Sequence, residues 1–262
     1  MEELKLTLLG KPQVTCGGKP VAGFRYHKSL ALLYYLAVTA RSHSRYALAG
    51  LLWGDMPESN ALAGLSRSLS ELRKNVGAHL DITPQSIAFN RESPYWMDLE
   101  VFDINIRSVL SDPHHSITPE RVASLREAID LYRGDFLEGF YVRKALVFEE
   151  RMSLERERLR LLALQGLHVL VAYDIQQGAY AEGIEYASRL LALEPTQEET
   201  HVQLMQLLAL SGQRSAALRQ FEICRSLLAE ELGVEPDIKT VALFKNIRSG
   251  KYPDAPRLAR SS

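Results

Sequence analysis

The stretch LSRSLSELRK, residues 65–74, sets Arg67, Arg73 and Lys74 against a single acid, Glu71. Extended back to residue 60 and wound as a helix at about 100° per residue, it places Asn60, Ala63, Arg67, Ser70 and Lys74 on one side, with Ser66 at the margin. Leu62, Leu65, Leu69, Leu72 and Val76 fall together on the other. One continuous apolar face and one free face result. The free residue types suit a nucleic-acid groove. Arg pairs bidentately with guanine, Asn with adenine, Ser bonds bases or phosphates, and Lys neutralises phosphate. Arg73 lies nearer the apolar arc, so its stem packs on the domain while its head reaches a phosphate or a local carboxylate.

Other chemistries find little support. Cys16 and Cys224 stand far apart with no CxxC or Cys/His spacing, which suggests neither a disulfide framework nor a zinc site. His114 and His115 are adjacent, not four apart on a helix as a metal site would need. No Ser, His or Asp occupies GxSxG or another nucleophile context, and no GxxxxGK[ST] phosphate loop occurs. No enzyme and no cofactor are expected. Trp53, in LLWGD, reads as a core aromatic, and the charged run EERMSLERERLRLLAL as a solvated helix face.

Composition sets the frame around the basic helix. The chain has 262 residues, 46% hydrophobic and 24% charged, enough for two packed domains. No apolar run is long enough to span a membrane, and the opening MEELKLTLLGKP lacks signal-peptide zoning. A cytoplasmic protein with no membrane partner is expected. The net charge of −1 hides an uneven distribution. Residues 1–110 carry twelve Lys or Arg against ten Asp or Glu, a balance of +2 that leaves −3 for the rest, and residues 25–74 hold seven bases and three acids. Anion binding depends on the local patch and not on the total.

The elements that must hold this patch can be traced along the chain. LKLTLLG, PQVTC and VAGF, turned at GGKP, read as a small antiparallel sheet. HKSLALLYYLAV has the apolar density of a buried helix, and SRYALAGLLWG a helix capped by Ser44 and stopped at Gly54. The basic helix follows between Pro57 and Gly77. SIAF and YWMDL, joined by NRESP, read as a hairpin. Sheet, three helices and hairpin make a winged helix-turn-helix, with the third helix as recognition element and the hairpin as wing. SDPHHSITP reads as a linker. Beyond it the chain is almost wholly helical, with Gly178 and Gly212 one tetratricopeptide period apart. That register puts Gly183 and Ala217 where helices cross and Pro195 at a terminating position. The expected fold is an α+β winged helix-turn-helix followed by an all-α, tetratricopeptide-like domain.

LLGKPQV, HKSLALLYYLAV, LAGLLWGD, LSRSLSELRK, SPYWMDLEVFD, YRGDFLEGF and EELGVEPDIKTVALFKNIRSG together resemble bacterial transcriptional activators of the SARP type, over nearly all of residues 4–250. LLWGD, LSRSLSELR and EELGVEPD are the most specific parts. The resemblance implies an OmpR-like winged-helix DNA-binding domain at 1–110, a bacterial transcriptional activation domain at 117–250, and a flexible tail at 251–262. It implies binding to direct repeats in double-stranded DNA upstream of promoters, contact with RNA polymerase, and self-association on DNA.

Carried onto this sequence, Asn60, Ala63, Arg67 and Ser70 face bases, and Ser66, Arg73 and Lys74 the DNA backbone. The expected wing, 85–98, reaches DNA through Arg91, although relatives often carry a more basic hairpin than NRESP. Arg41 and Arg45 flank the helix that conventionally crosses the backbone and are further phosphate contacts. The residues leave one alternative open, a protein-interaction adaptor that uses its helical repeats and whose winged helix lacks DNA affinity.

Overall fold

The computed structural model describes residues 2–111 and 118–251. The expected linker from Asp112 to Ile117, with His114 and His115, and the tail from Tyr252 lie outside the described residues. Two compact units are present. The first comprises 2–111 and Glu127–Leu162, the second 118–126 and 163–251. This division differs from the expected boundary near 110, because residues 127–162 pack with the N-terminal elements.

In the first unit, β1 (Leu4–Thr7) pairs antiparallel with β2 (Gln13–Cys16), and β2 with β3 (Lys19–Pro20). Alternation buries Leu4 and Leu6 and turns Lys5 outward. Residues 21–24, expected as a strand, are irregular. Helix α1 (His27–Thr39) is buried from Ala31 to Ala37, as its apolar density requires. The short strand β4 (His43–Ser44) leads into α2 (Arg45–Trp53), where Ser44 Oγ accepts from the Ala47 N–H at 3.2 Å. Helix α3 (Glu58–Val76) runs between Pro57 and Gly77. A 3₁₀ turn then enters β5 (Leu80–Ile82) and β6 (Ser86–Phe89), and β6 lies between β4 and β5.

The expected SIAF/YWMDL hairpin does not form. β6 pairs with β5, while β7 (Tyr95–Met97) joins β1 in parallel, Leu4 opposite Tyr95 and Leu6 opposite Met97. The free edge of β1 captures a strand 91 residues further along the chain, and the wing is the β5–β6 hairpin. Asp98 begins a helix, α4 (Asp98–Leu110), instead of ending a strand. Its fully buried carboxylate accepts from the N–H groups of Leu8 at 2.7 Å, Leu9 at 3.1 Å and Leu99 at 2.8 Å, and from Arg133 at 3.1 Å.

Two helices divide between the units: α5 (Pro119–Leu131) and α6 (Leu146–Gln177). In the first unit, Leu9 bridges Phe136, the Arg151 guanidinium donates to the Tyr35 hydroxyl at 2.8 Å, Arg156 donates to the Phe136 carbonyl at 3.0 Å, and Arg158 pairs with Asp103. The charged run on α6 is therefore not simply a solvated face. Three of its arginines have partners in other parts of the unit.

In the second unit, α7 (Tyr180–Leu193) and α9 (Arg214–Leu227) both pack on α8 (Glu198–Leu210), and α10 (Ile238–Arg248) packs on α9. Gly178 and Gly212 hold the turns before α7 and α9 at φ +72° and +80°, a region open to glycine. At the expected crossing sites, a Cβ on Gly183 would stand 2.8 Å from Leu207 Cδ2, and Ala217 is fully buried. The fold is an α+β winged helix-turn-helix followed by tetratricopeptide-like helices.

Candidate nucleic-acid interface

Helix α3 is positioned from three sides. Ala61, Gly64, Leu65, Ser68, Leu69, Leu72 and Val76 form its buried stripe, and Leu62 lies half-buried at the edge. Gly64 is required by Trp53, since a Cβ there would stand 2.7 Å from the indole Nε1, and Trp53 is itself buried. From the other flank, Glu71 Oε1 accepts the Arg25 N–H at 2.7 Å and fastens the segment before α1 to α3. This role for Glu71 had no sequence signal, because its partner is a backbone group 46 residues away. Glu58 in the first turn and Arg73 and Lys74 in the last complement the helix dipole.

The exposed side of α3 carries Asn60, Ala63, Ser66, Arg67, Ser70, Arg73 and Lys74. Among the described residues, Arg67, Arg73 and Lys74 have no ion-pair partner, and neither has Arg41 beyond α1. Arg45 donates to Ser66 Oγ, so these two expected backbone contacts are already joined. The basic surroundings act on His43 as well. Burial, then the charges of Arg41 and Arg151, hold its imidazole below its ordinary value.

Arg91 is placed differently from the sequence expectation. It lies beyond β6, paired with Glu100, with its guanidinium 5.5 Å from the Tyr95 ring centre. The tip of the actual wing is Thr83, Pro84 and Gln85, where Thr83 Oγ1 accepts from Ser86 N at 2.9 Å and Gln85 N at 3.3 Å. This tip offers hydroxyl, amide and backbone groups and no cation. Among the described residues, no cluster of three or more His, Cys, Asp or Glu could hold a metal, and no helix is long and apolar enough to cross a membrane.

Residues 97–248 match the family described as Bacterial transcriptional activator domain. Regulatory protein AfsR of Streptomyces coelicolor is 28% identical over 235 residues, covering 89% of this chain and 23% of that protein. Regulatory protein DnrI of Streptomyces peucetius is 26% identical over 204 residues, 74% of this chain and 73% of its own. Transcriptional regulator RedD of Streptomyces coelicolor is 29% identical over 238 residues, 82% and 62% respectively. The chain spans 23% and 24% of the length of the two AfsR proteins it matches. In three dimensions, Mycobacterium tuberculosis EmbR, solved in complex with a low-affinity phosphopeptide, superposes with a TM-score of 0.69 at 24% identity, over 97% of this chain and 66% of that one. That likeness concerns the fold. The family match takes in more than half of the chain, from the end of β7 to the end of α10, and the relatives are named as a regulatory protein and a transcriptional regulator. The chain belongs to the family that carries the bacterial transcriptional activator domain.

Proposed function

We propose that this protein binds direct repeats in duplex DNA upstream of promoters, reads them with α3, and activates transcription by contacting RNA polymerase. The observation that carries the reading is the exposed side of α3, where Arg67, Arg73 and Lys74 stand without ion-pair partners beside Asn60, Ala63, Ser66 and Ser70. The B-DNA major groove, about 12 Å wide, admits one α-helix. In that pose Asn60, Ala63, Arg67 and Ser70 face base edges, and Ser66, Arg73, Lys74, Arg41 and Arg45 face phosphates. The β5–β6 turn approaches the adjoining backbone with Thr83 and Gln85. Arg91, held by Glu100, takes a smaller part. Two copies associating on DNA would give the tandem arrangement its affinity through linkage. The test is selection of bound duplexes from a random pool with the full chain. Recovered sequences should share one motif, repeated head to tail about one helical turn apart, and binding should weaken steeply as salt rises. Recovery of the input distribution would remove DNA reading.

A further inference from the structure

A cleft of about 580 Å³ opens between the start of α1, one flank of α3 and the loop at 141–143. Its walls carry the cationic or basic side chains of Arg25, His27, Lys28, Arg67 and Arg143 and no carboxylate. Glu71 and Glu149 shape the walls from outside, each accepting one backbone N–H at 2.7 Å, from Arg25 and Val142 respectively. Among the described residues, Arg25, Arg67 and Arg143 are exposed and have no ion-pair partner. A concavity lined by one sign of charge focuses the field and concentrates counter-ions.

The remaining walls point to a ligand with a ring. Ser68, Gly64 and Val142 line the cleft between three aromatic side chains. Trp53 lies 5.2 Å from Lys28 Nζ, and Tyr26 and Tyr141 are 54% and 62% exposed. Guanidinium groups both pair with anionic oxygens and stack on planar rings. The volume falls in the range of small-molecule sites, roughly 300–1,000 Å³. Asn60, Ala63 and Ser70 do not line the cleft, so it is not the free face of α3 at large.

We propose that this cleft binds a small aromatic anion, a planar ring bearing a phosphate, sulfonate or carboxylate, and that its occupancy draws Arg67 away from DNA. The first half stands on the cleft alone; the second rests on the DNA reading given above. Burial holds Lys28 below its ordinary pKa against the opposing charge of Asp55, and its ammonium donates to the Leu52 and Lys144 carbonyls, so the exposed guanidinium groups are the ones left for an anion.

The test uses the full chain and anilinonaphthalene sulfonate, an aromatic anion whose fluorescence rises on leaving water. Saturable one-to-one binding is expected, weakened at least tenfold by Arg143→Glu and by Arg25→Glu, with the thermal midpoint unchanged because both residues are exposed and unpaired. The uncharged analogue phenylnaphthylamine should bind at least tenfold more weakly. Equal binding of the neutral ring, or indifference to both substitutions, overturns the ligand assignment. On a selected duplex, saturating probe should lower DNA affinity about tenfold, and by linkage the duplex should lower probe affinity by the same factor. If the probe binds as expected and DNA affinity does not move, the coupling through Arg67 is wrong and the cleft remains. If Arg143→Glu costs DNA affinity in the absence of probe as much as it costs the probe, the cleft is a track for DNA phosphate and the small-ligand assignment falls.

Discussion

Arg45 and Ser66 act as one unit: the guanidinium donates to Ser66 Oγ at 3.4 Å, and that hydroxyl donates to the Leu62 carbonyl at 2.9 Å. A phosphate placed there meets both side chains together, and the contact also ties α2 to α3. Arg45→Ala and Ser66→Ala should therefore be non-additive, with a coupling of about 0.5 kcal/mol or more in DNA affinity. A double-mutant cycle on a selected duplex measures it, and strictly additive losses would mean two independent phosphate contacts.

Arg67 stands exposed on α3 without an ion-pair partner. Arg67→Ala should weaken specific binding by about 1–3 kcal/mol and relax preference at one or two base pairs. Competition among operator variants gives the readout. An unchanged preference would remove Arg67 from the base-reading set.

Lys74, in the last turn of the same helix, is assigned to phosphate. Lys74→Ala should weaken binding to every duplex alike and make the slope of log K against log salt shallower by about one unit. A shift in the preferred base would contradict that assignment.

For Arg91 the outcome should be small. Its guanidinium is committed to Glu100 and to the Tyr95 ring, away from the Thr83–Gln85 tip. Arg91→Ala should leave the salt slope of DNA binding unchanged and lower stability by up to about 1 kcal/mol, as a partly exposed ion pair allows. A slope shallower by one unit would return Arg91 to the phosphate contacts.

Acid should loosen both units. His201 is buried, with Nε2 2.8 Å from the Pro195 carbonyl and Nδ1 2.6 Å from Gln220 Nε2, the pattern of a neutral ring that donates from one nitrogen and accepts at the other. Burial lowers its pKa from the ordinary 6.5, and likewise those of His43 and His79. Below the ordinary value the unfolded chain binds protons that the folded one refuses. Stability is thus fully present above about pH 6.5 and is lost as pH falls through the folded values. Thermal unfolding between about pH 7.5 and pH 5.5 should show a falling midpoint, and His201→Gln, which keeps a donor, should flatten the fall. The same slope in the variant would relocate the effect.

The parts of the fold written in neighbouring residues were legible in advance. Ser44 caps α2, Pro57 and Gly77 bound α3, and the leucine spacing orients it. The glycine turns at 178 and 212 follow the same logic, since a repeat period and a positive φ are local demands. What sequence reading missed depends on distant partners. YWM alternates like a hairpin strand, yet β1 claims it, and nothing near Asp98 announces that its carboxylate will receive the N–H groups of Leu8 and Leu9. The cleft beside Arg67 belongs to the same class. Its far wall, Tyr141 to Arg143, enters from a segment that the sequence assigned to the other domain.

The assembly of the first unit from two separate stretches has a consequence for synthesis. A ribosome adds about 5–20 residues per second and releases the N-terminal end first. Helices α1 to α3 emerge while Arg133, Phe136, Arg151 and Arg158 are still untranslated, so Asp98, Leu9, Tyr35 and Asp103 wait for their partners. Only when Leu162 has cleared the exit tunnel is the unit chemically complete. Translation order thus makes completion of the first unit a late event, on the order of several seconds after the residues of the basic helix were joined, and a pause in translation between residues 110 and 162 would hold the nascent chain in the unfinished state.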